Sequence, residues 1–222
     1  MLFLFVPYYN EPTKEFLESI ENSTIKFGGD THANRMISMN RKSNGIYWTK
    51  AVNDFYKFIK SCRGVKDDDV VAIMNSDISF SPDLLAEGMK VKLGEVYMPE
   101  GINIIWRLKL FFAVNHIETG VKTFAGRCFF MAYGDFIKMG KFCKWLPHYL
   151  SDYDYGLKAL KTLKPVIMGN KIIHDDHPKV TKPFKMISNT NPIFWTVFLL
   201  RHPNLYTPLN ILKAWFDAWR LR

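Results

Sequence analysis

The stretch Val70-Val71-Ala72-Ile73-Met74-Asn75-Ser76-Asp77-Ile78-Ser79-Phe80-Ser81-Pro82-Asp83 decides how the chain is read. Residues 70–74 are apolar without alternation, the pattern of a strand covered on both faces, as in a parallel sheet flanked by helices. A polar turn follows at once. Ser81-Pro82 then starts a helix expected to run to about Leu93, with Ser as its cap and Pro in its first turn. In open α/β sheets ligands bind beyond the carboxyl ends of strands. Asp77 stands there, and a carboxylate in that place can hold Mg2+ or Mn2+. The same residues also suit an ordinary strand-to-helix turn, and local spacing does not separate the two readings.

Outward from this point, strands and helices alternate. Leu2 to Val6 reads as a buried strand, ended by Pro7. Pro12 to Asn22 reads as a helix with Phe16, Leu17 and Ile20 on one face. Arg35 to Met39 suits a strand. Asn44-Gly45 signals a turn, and Ile46 to Lys60 follows as a helix with Trp48, Val52, Phe55, Tyr56 and Ile59 at helical spacing. Downstream, Glu95 to Val114 suggests strands and turns, Lys122 to Ala132 a strand, and Gly134 to Gly140 a short helix. Ser151 to Leu163 reads as a helix, Val166 to Ile173 as a strand, and Asn191 to Arg222 as one or two amphipathic helices. The order implies an α/β fold with a mainly parallel sheet. Residues 1–185 are read as one domain, divided near 95, and 186–222 as a C-terminal helical appendage.

Composition narrows the function. The 222 residues are 48% apolar and 23% charged, which excludes a mainly disordered or collagen-like chain. No run of eighteen apolar residues occurs, so a polytopic membrane protein is excluded. Cys62, Cys128 and Cys143 are odd in number and lack CxxC spacing, as for free thiols in a reducing compartment. The opening MLFLFVPYYNEP lacks the basic start of a signal peptide and is read as a strand of a cytoplasmic protein. The net charge of +9 calls for an anionic partner: nucleic acid, an anionic membrane or a phosphate-bearing small molecule.

Two further constellations stand out. Ser151-Asp152-Tyr153-Asp154 opens a helix. Its carboxylates suit either the positive end of the helix dipole or a general base facing a cleft. His174-Asp175-Asp176-His177 follows a strand, with Lys179 and Lys182 nearby. Neighbours in an extended segment point to opposite sides, so one His at most would reach a metal or diphosphate. No GxGxxG, GxSxG or HExxH motif occurs, and the Gly134–Lys141 stretch has the wrong spacing for a phosphate loop.

Taken in order, the pieces resemble a family. A strand ends in Pro7-Tyr8-Tyr9-Asn10-Glu11, and Ala51-Val52-Asn53 lies on the next long helix. Asn75 to Asp83 follows the buried strand. Then come Phe124-Ala125-Gly126-Arg127-Cys128-Phe129-Phe130-Met131, Ser151-Asp152-Tyr153-Asp154 and a strand reaching His174. This series, over about residues 3–178, resembles the GT-A glycosyltransferases of family 2, particularly rhamnosyltransferase-like members. The resemblance implies a GT-A, Rossmann-like mixed sheet and an inverting transfer of sugar from a nucleoside diphosphate sugar (UDP-, dTDP- or GDP-linked) with Mn2+ or Mg2+. It implies Asp77 on the metal, with Ser79 where the motif's second Asp would stand and His174 close by. Tyr9 and Glu11 would border the nucleotide base, Pro7 and Asn10 would belong to the same nucleotide site, and Asp30 is the nearest candidate for the nucleotide-binding Asp. Asn53 would lie on the ribose or diphosphate side, Asn75 and Ser76 would belong to the donor site, and Arg127 would sit near the acceptor or the diphosphate. Asp152 would be the base, with Asp154 as fallback, since Ser151 replaces the motif's Glu.

The implied acceptor is a glycan or lipid-linked saccharide. The tail adds Trp195, Trp215, Phe216 and Trp219 beside Lys213, Arg220 and Arg222. That mixture suits either packing on the catalytic domain or an anionic membrane surface, with the protein peripheral on the cytoplasmic face. Competing readings are a nucleotidyltransferase or another nucleotide-sugar enzyme on a related fold, and a basic nucleic-acid-binding module. Most aromatics sit at core spacing, which argues against the last.

Overall fold

Each apolar strand of the sequence presents one row of side chains to each side of the sheet, and that division organises the chain. The computed structural model describes residues 1–8, 11–28, 34–41, 47–104, 115–117, 120–148, 150–169, 172–174 and 190–221. In chain order the elements are β1 (Leu2–Tyr8), α1 (Lys14–Asn22), β2 (Arg35–Asn40), α2 (Trp48–Ser61), β3 (Val70–Met74) and β4 (Ile78–Phe80). Next come α3 (Leu84–Gly88), β5 (Glu95–Met98), β6 (Gly101–Asn103), β7 (Asn115–Ile117), β8 (Thr123–Phe124) and β9 (Cys128–Ala132). The last are α4 (Tyr133–Met139), α5 (Ser151–Ala159), β10 (Lys164–Ile167), β11 (Ile172–His174), α6 (Pro192–Arg201) and α7 (Thr207–Arg220).

The main sheet has six strands in the order β10-β5-β9-β3-β1-β2. It is mostly parallel, and only β9 runs against its neighbours β3 and β5. Phe3, Phe5, Val71, Ile73, Phe129 and Met131 point to one side, where α2 supplies Val52, Phe55 and Ile59. The Phe5 and Phe55 rings stack there at 4.4 Å. Leu2, Leu4, Val6, Val70, Ala72, Met74 and Phe130 point to the other side, against Phe16 of α1 and Leu84 and Leu85 of α3. The fold is therefore α/β in three layers, with β1 and β3 sealed on both faces as their unbroken apolar runs require. Two small antiparallel sheets, β11-β4 and β7-β6-β8, flank it.

Several expectations need correction. The first helix starts at Lys14, capped by the Thr13 hydroxyl, which accepts from the Phe16 amide at 3.2 Å. Its Leu17 is exposed, and Ser19 is buried in its place. Ser19 is held inside because its hydroxyl donates to the Glu15 carbonyl and accepts from the Phe80 amide. The helix after Pro82 is a single short turn, α3, because Leu84 and Leu85 already fill the core there. The 122–132 stretch splits at Gly126 into β8 and β9, which join different sheets. The 166–173 stretch likewise divides into β10 and β11. The Asn44-Gly45 turn lies outside the described residues.

A third apolar cluster joins α6 to the body through Ile104, Leu146, Leu150, Phe194 and Phe198. An ionic clamp reinforces it. Asp154 of α5, almost fully buried, receives Arg201 Nε at 2.5 Å, Arg201 Nη2 at 3.1 Å and His202 Nε2 at 2.9 Å. Burial alone would raise its pKa, but the bonds from His202 and Arg201 outweigh that and hold the carboxyl below its ordinary value.

A carboxyl with a depressed folded-state pKa stabilises the fold above its unfolded value, and that stability disappears as pH falls through the folded one. Asp154→Asn is therefore expected to cost about 2 to 3 kcal/mol at pH 7, a buried pair broken but discounted because Arg201 is half-exposed. The cost should begin to shrink below about pH 4, the ordinary Asp value at which the unfolded chain takes up its proton, and should go on shrinking as pH falls toward the lower folded-state value. Urea unfolding at pH 7 and at successively lower pH below about 4 measures both; a loss that stays equal across the series would show that the ionic clamp is not its source.

Candidate functional site

The chain goes from β1 out to β2 and then returns to the far side of β1 to make β3, so the strand order reverses between β1 and β3. At such a reversal the connections leave in opposite directions and open a crevice at the carboxyl ends of the strands. Asn75, Ser76 and Asp77 leave β3 at this point. The Thr13 amide, at the start of α1, donates to the Ser76 carbonyl at 3.1 Å and ties the two exits together. Asn75, Asp77 and Ser79 are half-buried, whereas Ser76, Ile78 and Phe80 are buried, so exposure alternates along the segment.

β9 brings the second group. Because it runs antiparallel to β3, Cys128 at its start pairs with Met74 at the end of β3. The Asn75 amide extends the ladder by donating to the Arg127 carbonyl at 2.8 Å. The Asn75 side chain accepts from Trp48 Nε1 at 3.2 Å. One residue back, the Gly126 amide donates to Asp152 Oδ2 at 2.8 Å. The residues after β3, before β9 and at the start of α5 thus form one hydrogen-bonded chain, Trp48–Asn75–Arg127/Gly126–Asp152.

Packing here tolerates no side chain at position 126. A Cβ on Gly126 would lie 2.9 Å from Trp48 Cζ2 and 3.1 Å from the Asp152 Cβ. Leu150, just before α5, is held at φ 67°, a left-handed conformation that costs a leucine about 1–2 kcal/mol and that its burial maintains. It sets the direction in which Ser151 and Asp152 enter the helix. Ser151 is wholly buried and accepts from the Thr49 hydroxyl at 2.7 Å. It serves packing rather than the crevice.

Asp152 and Asp154 are two residues apart and electrostatically opposite. Burial pushes the Asp152 carboxyl above the ordinary carboxylate range, and the Gly126 and Tyr153 amides and the charge of Arg127 offset this only in part. A half-buried carboxylate with a raised pKa is a better proton acceptor near neutrality than an ordinary one. Asp154 is consumed by Arg201 and His202, which removes it as the fallback base.

Other expected site residues fare differently. Arg127 projects toward Glu100, with 3.5 Å between Nη1 and Oε2, and both side chains are partly exposed. Asn53 is engaged elsewhere. Its amide forms a reciprocal pair with the backbone of Phe142, donating at 3.1 Å and accepting at 2.9 Å, so it anchors the 141–150 segment instead of lining the crevice. Pro7 is a buried-strand residue of β1 and Glu11 is exposed beyond its end. Tyr9, Asn10, Asp30, Asp175, Asp176, His177, Lys179 and Lys182 lie outside the described residues.

β11 pairs antiparallel with β4, so His174 stands opposite Ile78, next in sequence to Asp77. Among the described residues no three His, Cys, Asp or Glu side chains gather into a metal cluster. Asp77 and Ser79 offer a sparse, all-oxygen donor set. Such a set suits Mg2+ or Mn2+ where substrate phosphate oxygens complete the shell.

Two contributors, Trp48 and Glu100, are not evident from the sequence. Trp48 was counted with the core, although its indole N–H, once buried, needs an acceptor and finds Asn75. Glu100 follows the parallel strand β5 as Asp77 follows β3, so the rule of carboxyl ends points to it too. His148 is pulled down to about 4, chiefly by burial and further by Arg41, so it is neutral at pH 7. Burial likewise pushes the Cys128 thiol far up, which leaves it inert as a nucleophile. A hollow of about 570 Å3 lined by Tyr56, Lys57, Lys60, Ser61 and Lys141 lies at the far end of α2 from Trp48. It is separate from this crevice.

No protein-family model and no curated protein matches the chain.

Two substitutions examine the crevice without reference to a ligand. Gly126→Ala should lower stability by about 1 to 3 kcal/mol through overpacking. Adding Trp48→Phe should recover part of that loss, and strict additivity in a double-mutant cycle would refute the close approach. Asp152→Asn keeps an acceptor for the Gly126 amide and removes a charge that burial disfavours. A raised folded-state pKa means that stability is lost as pH rises through it. The Asn variant gives up the second bond, from the Tyr153 amide to Oδ1, so its unfolding midpoint relative to the wild type is the sum of that loss and the relief of a buried charge. The difference should be more favourable to the Asn variant at pH 7 than toward pH 4, and a difference independent of pH would contradict this electrostatic account.

Proposed function

We propose that the protein is an inverting glycosyltransferase of the GT-A type, taking a sugar from a nucleoside diphosphate sugar to an acceptor hydroxyl. The observation that carries the reading is the single hydrogen-bonded chain at the β1/β3 reversal. It unites residues 75, 126–127 and 152, which are widely separated in sequence and belong to three motifs of the resemblance. The mostly parallel sheet with one reversed strand agrees with the mixed sheet expected of such enzymes.

In this reading the acceptor oxygen attacks the anomeric carbon as the bond from that carbon to the diphosphate breaks on the opposite face. Asp152 takes the acceptor proton, and its raised pKa matches that task. Arg127 turns from Glu100 to the diphosphate or acceptor, at little expense because an exposed pair contributes about 0–1 kcal/mol. Asp77 and Ser79 hold the divalent cation, which when bound neutralises charge on the departing nucleoside diphosphate. Trp48 keeps Asn75 in place, and Gly126 orients the Asp152 carboxylate through its amide. The acceptor class is a glycan or lipid-linked saccharide.

Thermal unfolding with UDP, dTDP and GDP, each with and without Mn2+, tests the proposal. A ligand at 100 times its Kd stabilises the native state by about 2.7 kcal/mol, roughly 5 to 10 °C for a chain of this size. One nucleotide should give such a shift only with the metal, and Asp77→Ala should abolish it. Incubation with the matching nucleotide sugar should release the nucleoside diphosphate, and Asp152→Asn should stop release while binding persists. Absence of any shift, or release of pyrophosphate instead, would overturn the assignment.

A further inference from the structure

The last helix, α7, buries the side of itself that sequence would leave outside. α7 packs on α6 and buries Thr207, Asn210, Ala214 and Ala218. At 100° per residue these form one stripe. The opposite stripe is Leu209, Leu212, Trp215, Phe216 and Trp219, each between 43% and 67% exposed. Trp215 Nε1 donates to Thr196 Oγ1 of α6 at 3.1 Å. Ile193 and Leu200, three residues before and four after Thr196, are also exposed. The apolar surface therefore continues from one helix onto the other, with Leu205 exposed in the connection. A contiguous apolar patch of this kind marks a site of attachment.

Its chemistry distinguishes the partner. Between residues 190 and 222 there are four basic side chains and a single acidic one, Asp217, in a chain of net charge +9. Asp217 is engaged by Lys213 at 2.5 Å, and Arg220 lies over the Phe216 ring at 5.9 Å. Arg201 is committed to Asp154, so Arg220 and the Lys213–Asp217 pair are what border the apolar stripe along one flank. Tryptophans with a cationic border suit the boundary between acyl chains and anionic headgroups. Among the described residues no helix is long and apolar enough to cross a membrane. The 14 residues of α7 extend about 21 Å against a hydrocarbon core of about 30 Å, so the helix fits lying in the interface.

We propose that the α6–α7 hairpin is a membrane-docking element that lays the Leu209–Trp219 face onto an anionic lipid surface. This inference stands independently of the transferase reading. The hairpin is clamped through Arg201 and His202 to Asp154, one turn or less from Asp152. Docking would therefore fix the orientation of the crevice to the membrane.

Co-sedimentation of the full chain with phosphatidylcholine vesicles, with and without 30% phosphatidylglycerol, tests it, read alongside tryptophan fluorescence. Binding to the anionic vesicles with a blue shift in emission is expected, weakening as salt is raised. Leu212→Glu combined with Trp219→Glu should reduce partitioning about tenfold or more with the thermal midpoint preserved, since both side chains already face water. Lack of binding to anionic vesicles at low salt, or undiminished binding by the double variant, would overturn the proposal. Light scattering covers the remaining occupant: a dimer that the same double variant dissociates would assign the face to a second copy and overturn it as well.

Discussion

The crevice depends on one strand running the wrong way. If β9 were parallel to β3, the residues preceding it would lie at the opposite end of the sheet from Asn75 and Asp77. Because it is antiparallel, Cys128 meets Met74, and the Gly126–Arg127 turn is delivered to the carboxyl end of β3. The Asn75-to-Arg127 backbone bond then locks the junction. A second reversal repeats the device on a smaller scale, where β11 pairs with β4 and brings His174 to the neighbourhood of Asp77. Backbone pairing fixes all of this before any side-chain chemistry is considered, and the glycine at 126 lets Trp48 and Asp152 close on the turn.

The first turn of α5 separates two tasks within three residues. Successive helix positions diverge by 100°, so Asp152 and Asp154 face different surroundings. Asp152 meets backbone amides and retains a carboxylate that burial makes reluctant to ionise. Asp154 meets two basic side chains and becomes a fastening for the C-terminal helices. The same residue type thus yields one carboxyl whose ionisation burial opposes and one structural anchor, because the environment and not the residue sets the protonation behaviour. Fastening the hairpin at Asp154 also steadies the turn that carries Asp152.

Much of this architecture was legible in the sequence for a physical reason: β1 and β3 are sealed on both faces, and continuous burial leaves a continuous apolar run. The helix α2 was equally plain, since Trp48, Val52, Phe55, Tyr56 and Ile59 all lie on its buried face. Legibility failed where strands are two to four residues long. β4, β8 and β11 are too brief for a periodic pattern, and their pairing is decided by distant partners. The backbone clamp made by Asn53 was not legible because a polar residue on a helix near a motif looks the same whether it binds a ligand or holds a backbone. Only the position of Phe142 distinguishes the two. Trp48 was visible as core, but its hydrogen bond to Asn75 was not, because the acceptor lies on another element.

The C-terminal hairpin shows why amphipathicity alone does not say which side of a helix faces inward. Counting apolar residues on α7 would bury the stripe with two tryptophans, a phenylalanine and two leucines. The protein buries the stripe with two alanines, a threonine and an asparagine instead. Small residues allow α6 and α7 to approach closely, and the Trp215–Thr196 bond spans their junction. Leaving large apolar side chains in water forgoes about 1.5–3 kcal/mol for each leucine or phenylalanine that burial would otherwise gain. A fold that forgoes so much along one continuous stripe, while burying nearly everything of that size in its sheet, keeps that surface in a form that association can cover. The exposure of Trp215, Phe216 and Trp219 therefore says more about what the hairpin meets than about how it packs.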